Sequence, residues 1–170
     1  MKRTKLLALA LAGVMMLALL TGCSDSSSKA KQVEECFRSL MKQRGDYQKD
    51  ETLDKKLEVI AQKFQPSWLD AGGDMLTNEA YDTIKNDLKD YLLTGGVWLW
   101  YGEVKPGQSA LAQAESMKQC KGIRFDYYYG YGSSGTPLDA IAFTMTDKKS
   151  DGHRYYLALE TYATVNTPQN

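Results

Sequence analysis

Histidine is almost missing from this chain: His153 is the only one in 170 residues. Zinc centres built on two or three histidines, the helical HExxH arrangement among them, are excluded by that count. A Ser-His-Asp or Cys-His relay would have to pass through His153. That residue stands beside a turn, where a histidine reads as a solvated polar group. An excess of either charge is also lacking, with 21 Lys and Arg against 21 Asp and Glu. Without a basic stripe or a run of like charge, nucleic acid is not an expected partner. No apolar run reaches the ~20 residues of a membrane-spanning helix. The longest, Leu6–Leu20, has fifteen. Gly130-Tyr131-Gly132-Ser133-Ser134-Gly135 has the G-x-G-x-x-G spacing, but Thr136-Pro137 and an expected strand follow where a dinucleotide site needs a helix. It reads as a flexible hairpin loop.

What is present begins at the amino terminus. Lys2, Arg3 and Lys5 precede the apolar run, and Leu20-Thr21-Gly22-Cys23 closes it. The length and flanks are those of a secretory signal. Two small residues before a cysteine resemble the lipobox of bacterial lipoproteins. That resemblance implies a diacylglyceryl group on the Cys23 thiol, cleavage between Gly22 and Cys23, and a domain tethered to a membrane. It names no other cofactor. It further implies a place on the outer face of the cell membrane or, in a cell with two membranes, at the outer membrane, since Ser24 is not an aspartate. Each buried methylene contributes ~0.8 kcal/mol, so two acyl chains anchor stably where one is marginal.

The expected organisation is a leader over 1–22, the lipidated cysteine with a Ser-rich flexible spacer over 23–30, one domain over 31–165, and a tail over 166–170. Losing Lys2, Arg3 and Lys5 leaves 18 basic residues against 21 acidic, a net charge of −3. Two further cysteines, Cys36 and Cys120, allow a disulfide in an exported domain, worth ~4–5 kcal/mol for a loop of that length. The alternative is a pair of buried thiols, because Cys36 falls on an apolar helix face.

Val33, Cys36, Phe37, Leu40 and Met41 have the spacing of a helix with one buried side, ended near Gly45. Leu53, Leu57, Ile60, Ala61 and Phe64 repeat it until Pro66. A third helix is expected from about Asn78, with Tyr81, Ile84, Leu88, Tyr91 and Leu92 on one side, closing at Gly95-Gly96. Val97-Trp98-Leu99-Trp100-Tyr101 is aromatic and branched throughout, which suggests a strand covered on both sides. Ser109 can cap a short helix. Three alternating runs follow, around Ile123–Tyr131, Ile141–Met145 and Tyr155–Ala163, the last two joined by the turn Ser150-Asp151-Gly152. The expected class is α+β: about three N-terminal helices, then a strand, a short helix and a three-stranded antiparallel meander, with the helices packed on one face of the sheet.

This element order, with Gly45-Asp46-Tyr47 after the first helix, resembles the cystatin-like cone of the nuclear-transport-factor-like superfamily. Such cones bind small ligands in the mouth of a curved sheet. The chain departs from them in its extra helix near 78–93 and in lacking a closing tryptophan. The hairpin over 138–163 also resembles the last hairpin of the cysteine-rich secretory, antigen-five and pathogenesis-related domain, whose paired histidines cannot exist here.

Aromatic side chains crowd the expected strands, and those facing away from a helical layer would form an amphipathic patch suited to sugars, peptides or lipids. Trp98, Trp100, Tyr127 and Tyr129 are the candidate ligand-binding residues. No residue is assigned a catalytic role and none a metal. The expected partners are the membrane, through the anchor, and a small ligand, a glycan or an envelope protein. A passive module of an envelope complex is the first alternative. A hydrolase or isomerase using paired carboxylates drawn from Glu103, Asp126, Asp139 and Glu160 is the second, since two acids ~5–10 Å apart suffice for glycoside hydrolysis.

Overall fold

The computed structural model describes residues 26–70, 72, 76–89, 96–120 and 139–162. Helix α1 spans Ser26–Met41, α2 Glu51–Lys63 and α3 Asn78–Leu88. Strand β1 is Gly96–Glu103, helix α4 Ala110–Glu115, and β2, β3 and β4 are Lys118–Gln119, Ala140–Met145 and Tyr155–Tyr162. The class is α+β, as expected. Because α1 already runs from Ser26, part of the stretch expected to be a flexible spacer is helical, and Ala30 packs against the core.

The starts of α2, α3 and α4 have a local cause. Asp50 accepts from the N–H groups of Thr52 and Leu53 at the head of α2, Thr77 from Ala80 at α3, and Ser109 from Ala112 at α4. The α1 apolar face, Val33, Phe37 and Met41, is buried, as are Leu53, Leu57, Ile60 and Ala61 of α2 and Ala80, Ile84 and Leu88 of α3. Tyr91 and Leu92, expected in the third helix, lie outside the described residues, as does the expected strand Ile123–Tyr131.

The four strands are antiparallel neighbours in the order β2-β1-β4-β3. The third strand of the expected meander, Ile123–Tyr131, lies outside the described residues. Among the described strands β3 and β4 form a hairpin, and β4 lies along the whole of β1, from Gly96 opposite Tyr162 to Glu103 opposite Tyr155. The hairpin turns where expected. Gly152 has φ +82° with open space around it, so glycine is there for its backbone freedom alone. Lys149 reaches from this turn to the carbonyls of Ala61 and Gln62, at 2.7 and 3.2 Å, and satisfies the free end of α2.

The expectation that helices pack on one face of the sheet is corrected. Val97 and Leu99 of β1, Ala140 and Ala142 of β3, and Tyr155, Leu157 and Leu159 of β4 pack with α2 and α3. The alternate residues, Trp100, Ile141, Phe143, Tyr156 and Ala158, pack with α1 and α4. Both faces of β1 and β4 are apolar, and an apolar face left in water would forfeit ~25 cal/mol for every Å² exposed. Helices must therefore divide between the two sides. The same division separates the cysteines. Cys36 sits in the α1 cluster and Cys120 in the other, and no disulfide joins them. Burial, and then the charges of Glu35 and Glu115, push the Cys36 thiol up from its ordinary value, which favours the unreactive protonated form.

Leu159 is fully buried under α2 and α3. Leu159→Ala is expected to lower unfolding stability in urea by ~2–5 kcal/mol. Gly152→Ala, which meets no atom, is expected to lower it by only ~1–2 kcal/mol through the left-handed backbone. A Gly152→Ala loss as large as that of Leu159→Ala would contradict this account of the turn.

Candidate functional site

On the α1 side of β4 the alternation Tyr156, Ala158 is continued by Glu160, a carboxylate where an apolar side chain is due. Glu160 is 3 % exposed. Burying an ionised carboxyl is unfavourable by several kcal/mol unless it is paired and hydrogen-bonded, so its surroundings must supply partners.

Three residues from two places in the chain do so. Trp100, on the same face of β1, donates its indole N–H to Glu160 Oε2 at 2.8 Å. Tyr47 donates its hydroxyl to Oε1 at 2.5 Å. Arg44 places Nη1 3.6 Å from Oε2 and its guanidinium carbon 5.3 Å from the centre of the Trp100 ring. Phe37 meets the Trp100 ring edge-on at 5.5 Å and fixes its plane.

The positions of Arg44 and Tyr47 follow from how α1 ends. The Arg44 and Gly45 N–H groups bond back to the carbonyl of Met41 and turn the chain towards the sheet. Gln48 then pairs with the start of β3, its N–H on the Asp139 carbonyl at 2.8 Å and its carbonyl receiving the Ile141 N–H at 3.2 Å. Tyr47 is thus held beside β3 while its ring reaches across to β4. Burial, and next the hydrogen bond to Glu160, raise the Tyr47 hydroxyl well above the ordinary tyrosine value; Arg44 works against this and Asp139 with it.

Of the residues expected to bind a ligand, Trp100 belongs to this cluster, and Trp98 lies directly opposite Glu160 in the β1–β4 register, half-buried. Tyr127 and Tyr129 lie outside the described residues, as do Cys23, Asp126 and the glycine loop 130–135. Trp100 is no open stacking platform. Its ring is wedged among Phe37, Arg44 and Glu160.

Of the carboxylates expected to work in pairs, Glu103 and Glu160 lie far apart. Glu103 faces the α2 side, in line with Val97 and Leu99, and pairs with Tyr155, five positions along β4 from Glu160. At ~3.3 Å per residue that is ~17 Å, on the opposite face. Glu103 and Glu160 therefore cannot share a substrate, which removes that pair from the hydrolase reading. Glu103 instead bonds His153 Nδ1 at 2.8 Å, and His153 is exposed beside the turn. Asp139 is exposed at the entrance to β3. Among the described residues no group of three or more His, Cys, Asp or Glu side chains could hold a metal ion.

Arg44 and Tyr47 were not singled out as site residues by pattern. The signal that could have found them is Glu160 itself: an acid on the buried stripe of a strand demands donors from elsewhere, and an arginine and a tyrosine just beyond a helix end are natural suppliers. In comparisons with known proteins, no family model, no curated protein and no solved structure matches this chain.

A hydroxyl whose protonated form is favoured by folding contributes stability that is whole below its unfolded value of ~10 and lost as pH rises through its higher folded value. Tyr47 and, through burial and its bond to Asp151, Tyr155 both titrate in that direction. Stability is therefore expected to fall above pH ~10. Tyr47→Phe should lower stability at neutral pH by ~1–3 kcal/mol and make the alkaline decline shallower, measured by urea unfolding across pH. An unchanged slope in Tyr47→Phe would show that the bond to Glu160 is not what folding protects.

Proposed function

We propose that the chain is a lipid-anchored protein of the cell envelope whose α+β domain recognises a ligand or partner without catalysing a reaction. The observation that supports recognition is the cluster around Glu160. One buried carboxylate is fixed by two neutral donors and touched by a half-exposed cation, an arrangement for holding charge rather than for relaying protons. Glu103, one of the acids named for catalysis, does not supply a second carboxyl to Glu160.

The anchor reading rests on the charged start, the apolar run and Leu20-Thr21-Gly22-Cys23. Among the described residues no helix is long and apolar enough to cross a membrane. Only Ser24 and Asp25 stand between Cys23 and α1, a connection of at most ~10 Å when extended. An acylated Cys23 would hold the first turn of α1 close to the headgroups.

A second reading, that of a passive module in an envelope complex, is favoured by the helices that cover both faces of the sheet. Retention separates the two. Detergent-solubilised full-length protein, immobilised and exposed to envelope glycan and small-molecule fractions, should retain a ligand that Glu160→Gln releases. Co-purification of a fixed protein partner with no ligand retained would favour the module.

For the anchor, mass spectrometry of the purified protein should find a chain starting at an acylated Cys23, and Cys23→Ser should move the protein from the membrane to the soluble fraction. A mature chain beginning at another residue, or a Cys23→Ser protein that stays with the membrane, would refute it.

A further inference from the structure

The cation in the Glu160 cluster is its least secured member. Arg44 has a side chain 45 % exposed, stands 3.6 Å from the carboxylate, beyond the ~2.7–2.9 Å of a charge-assisted hydrogen bond, and lies over the Trp100 ring. Exposed ion pairs and exposed cation–π contacts each hold with only ~0–1 kcal/mol. The other half of the cluster is rigid. Glu160 lies on a strand with neighbours on both sides, its two oxygens are pinned by Tyr47 and Trp100, and Phe37 braces the indole. Neither hydrogen bond involves Arg44.

We infer that Glu160, Trp100 and Tyr47 form a receptor for a guanidinium group, and that Arg44 is its built-in occupant, displaced when a ligand bearing the same group arrives. This deepens the recognition reading above and rests on it for its purpose. The chemistry is specified by the occupant. A planar guanidinium can lie against an indole face and turn an N–H towards a carboxylate at once, which a compact, strongly hydrated ammonium does less well. A receptor whose acceptor and ring are already fixed loses little freedom on binding, which is the advantage of preorganisation. A tethered competitor acts at an effective concentration of order mM, so Arg44 weakens adventitious cations and admits a ligand that makes further contacts.

The test uses the full-length protein in detergent micelles and methylguanidinium chloride as probe. The readout is the indole N–H resonance of Trp100, identified by its loss in Trp100→Phe, together with the melting temperature. In Arg44→Ala the probe should shift that resonance saturably and raise the melting temperature. In the unaltered protein the same shift should need about tenfold more probe. Adding Glu160→Gln to Arg44→Ala should abolish saturation. Should that double variant not fold, Trp100→Leu with Arg44→Ala, which removes the ring face and the reporting indole, should weaken the probe about 2–5-fold as read by the melting temperature.

An acetylated, amidated Gly-Arg-Gly peptide binding tighter than methylguanidinium would identify the source as an arginine of a protein. Equal affinity would point to a free guanidinium compound. No saturable shift in Arg44→Ala, or a shift reproduced by potassium chloride at equal ionic strength, overturns the inference even if the protein retains some other envelope ligand. Saturable uptake that Glu160→Gln abolishes upholds it even if the retention assay above yields nothing.

Discussion

Eight residue pairs join β1 to β4, and the side chains on either side of that ladder are too apolar to face water. Most of the rest of the structure answers this constraint. Leu99, Leu157 and Leu159 need a helical layer, which α2 and α3 provide; Trp100, Tyr156 and Ala158 need another, which α1 and α4 provide. The chain must therefore cross from one side of the sheet to the other between α1 and α2. The short stretch Lys42–Asp50 makes that crossing and is tied to the sheet on the way by Gln48. A connection between two helices thus becomes a structural member, and the groups it carries are delivered to the sheet.

Glu160 is the exception in this ladder and explains why the crossing carries Arg44 and Tyr47. An acid inside an apolar layer is tolerated only where its charge is answered, and removing one hydrogen-bond donor from such a group is destabilising by ~1–3 kcal/mol. An apolar residue in the same place would be satisfied by packing alone, so stability gives no reason to keep the carboxylate. Recognition does. A buried charge in fixed geometry, with one loosely held counter-charge, discriminates among ligands by what happens if it is left unpaired.

Helix periods were legible because burial is one-sided there. Val33, Phe37 and Met41, or Leu53, Leu57 and Ile60, repeat at helical spacing, and Ser109 and Gly152 carry their roles in their own chemistry. Strand pairing was not legible. Alternation shows which residues share a face but not which strand lies alongside, and β1 meets β4 across some sixty residues of chain. The two-sided cover was present in Val97–Tyr101, apolar in every position, yet the one-faced arrangement expected of the helices contradicted it. Within the site, Trp100 stood out as an aromatic residue, but its role could not be read from a run of aromatics because the role comes from Arg44 and Tyr47, remote in sequence and brought close only by the turn after Met41. Cys36 and Cys120 failed as a pair for a related reason: separation along the chain says nothing about which side of a sheet each occupies.

The proposed anchor and the proposed receptor lie at opposite ends of one rigid element. Helix α1 has 16 residues, ~24 Å of length, with Ser26 at the end nearest Cys23 and Arg44 just beyond the other. Its buried face is packed against α4 and the sheet, so it cannot swing independently of the domain. A lipid at Cys23 would then hold one end of the domain near the headgroups while the Glu160 cluster stands about a helix length along the molecule from that point. A receptor for a guanidinium group gains from that separation. Anionic headgroups would hold cationic ligands at the membrane surface, within a Debye length of ~8–10 Å. Beyond that distance a ligand of the proposed receptor would have only Arg44 to displace, on terms set by the fold.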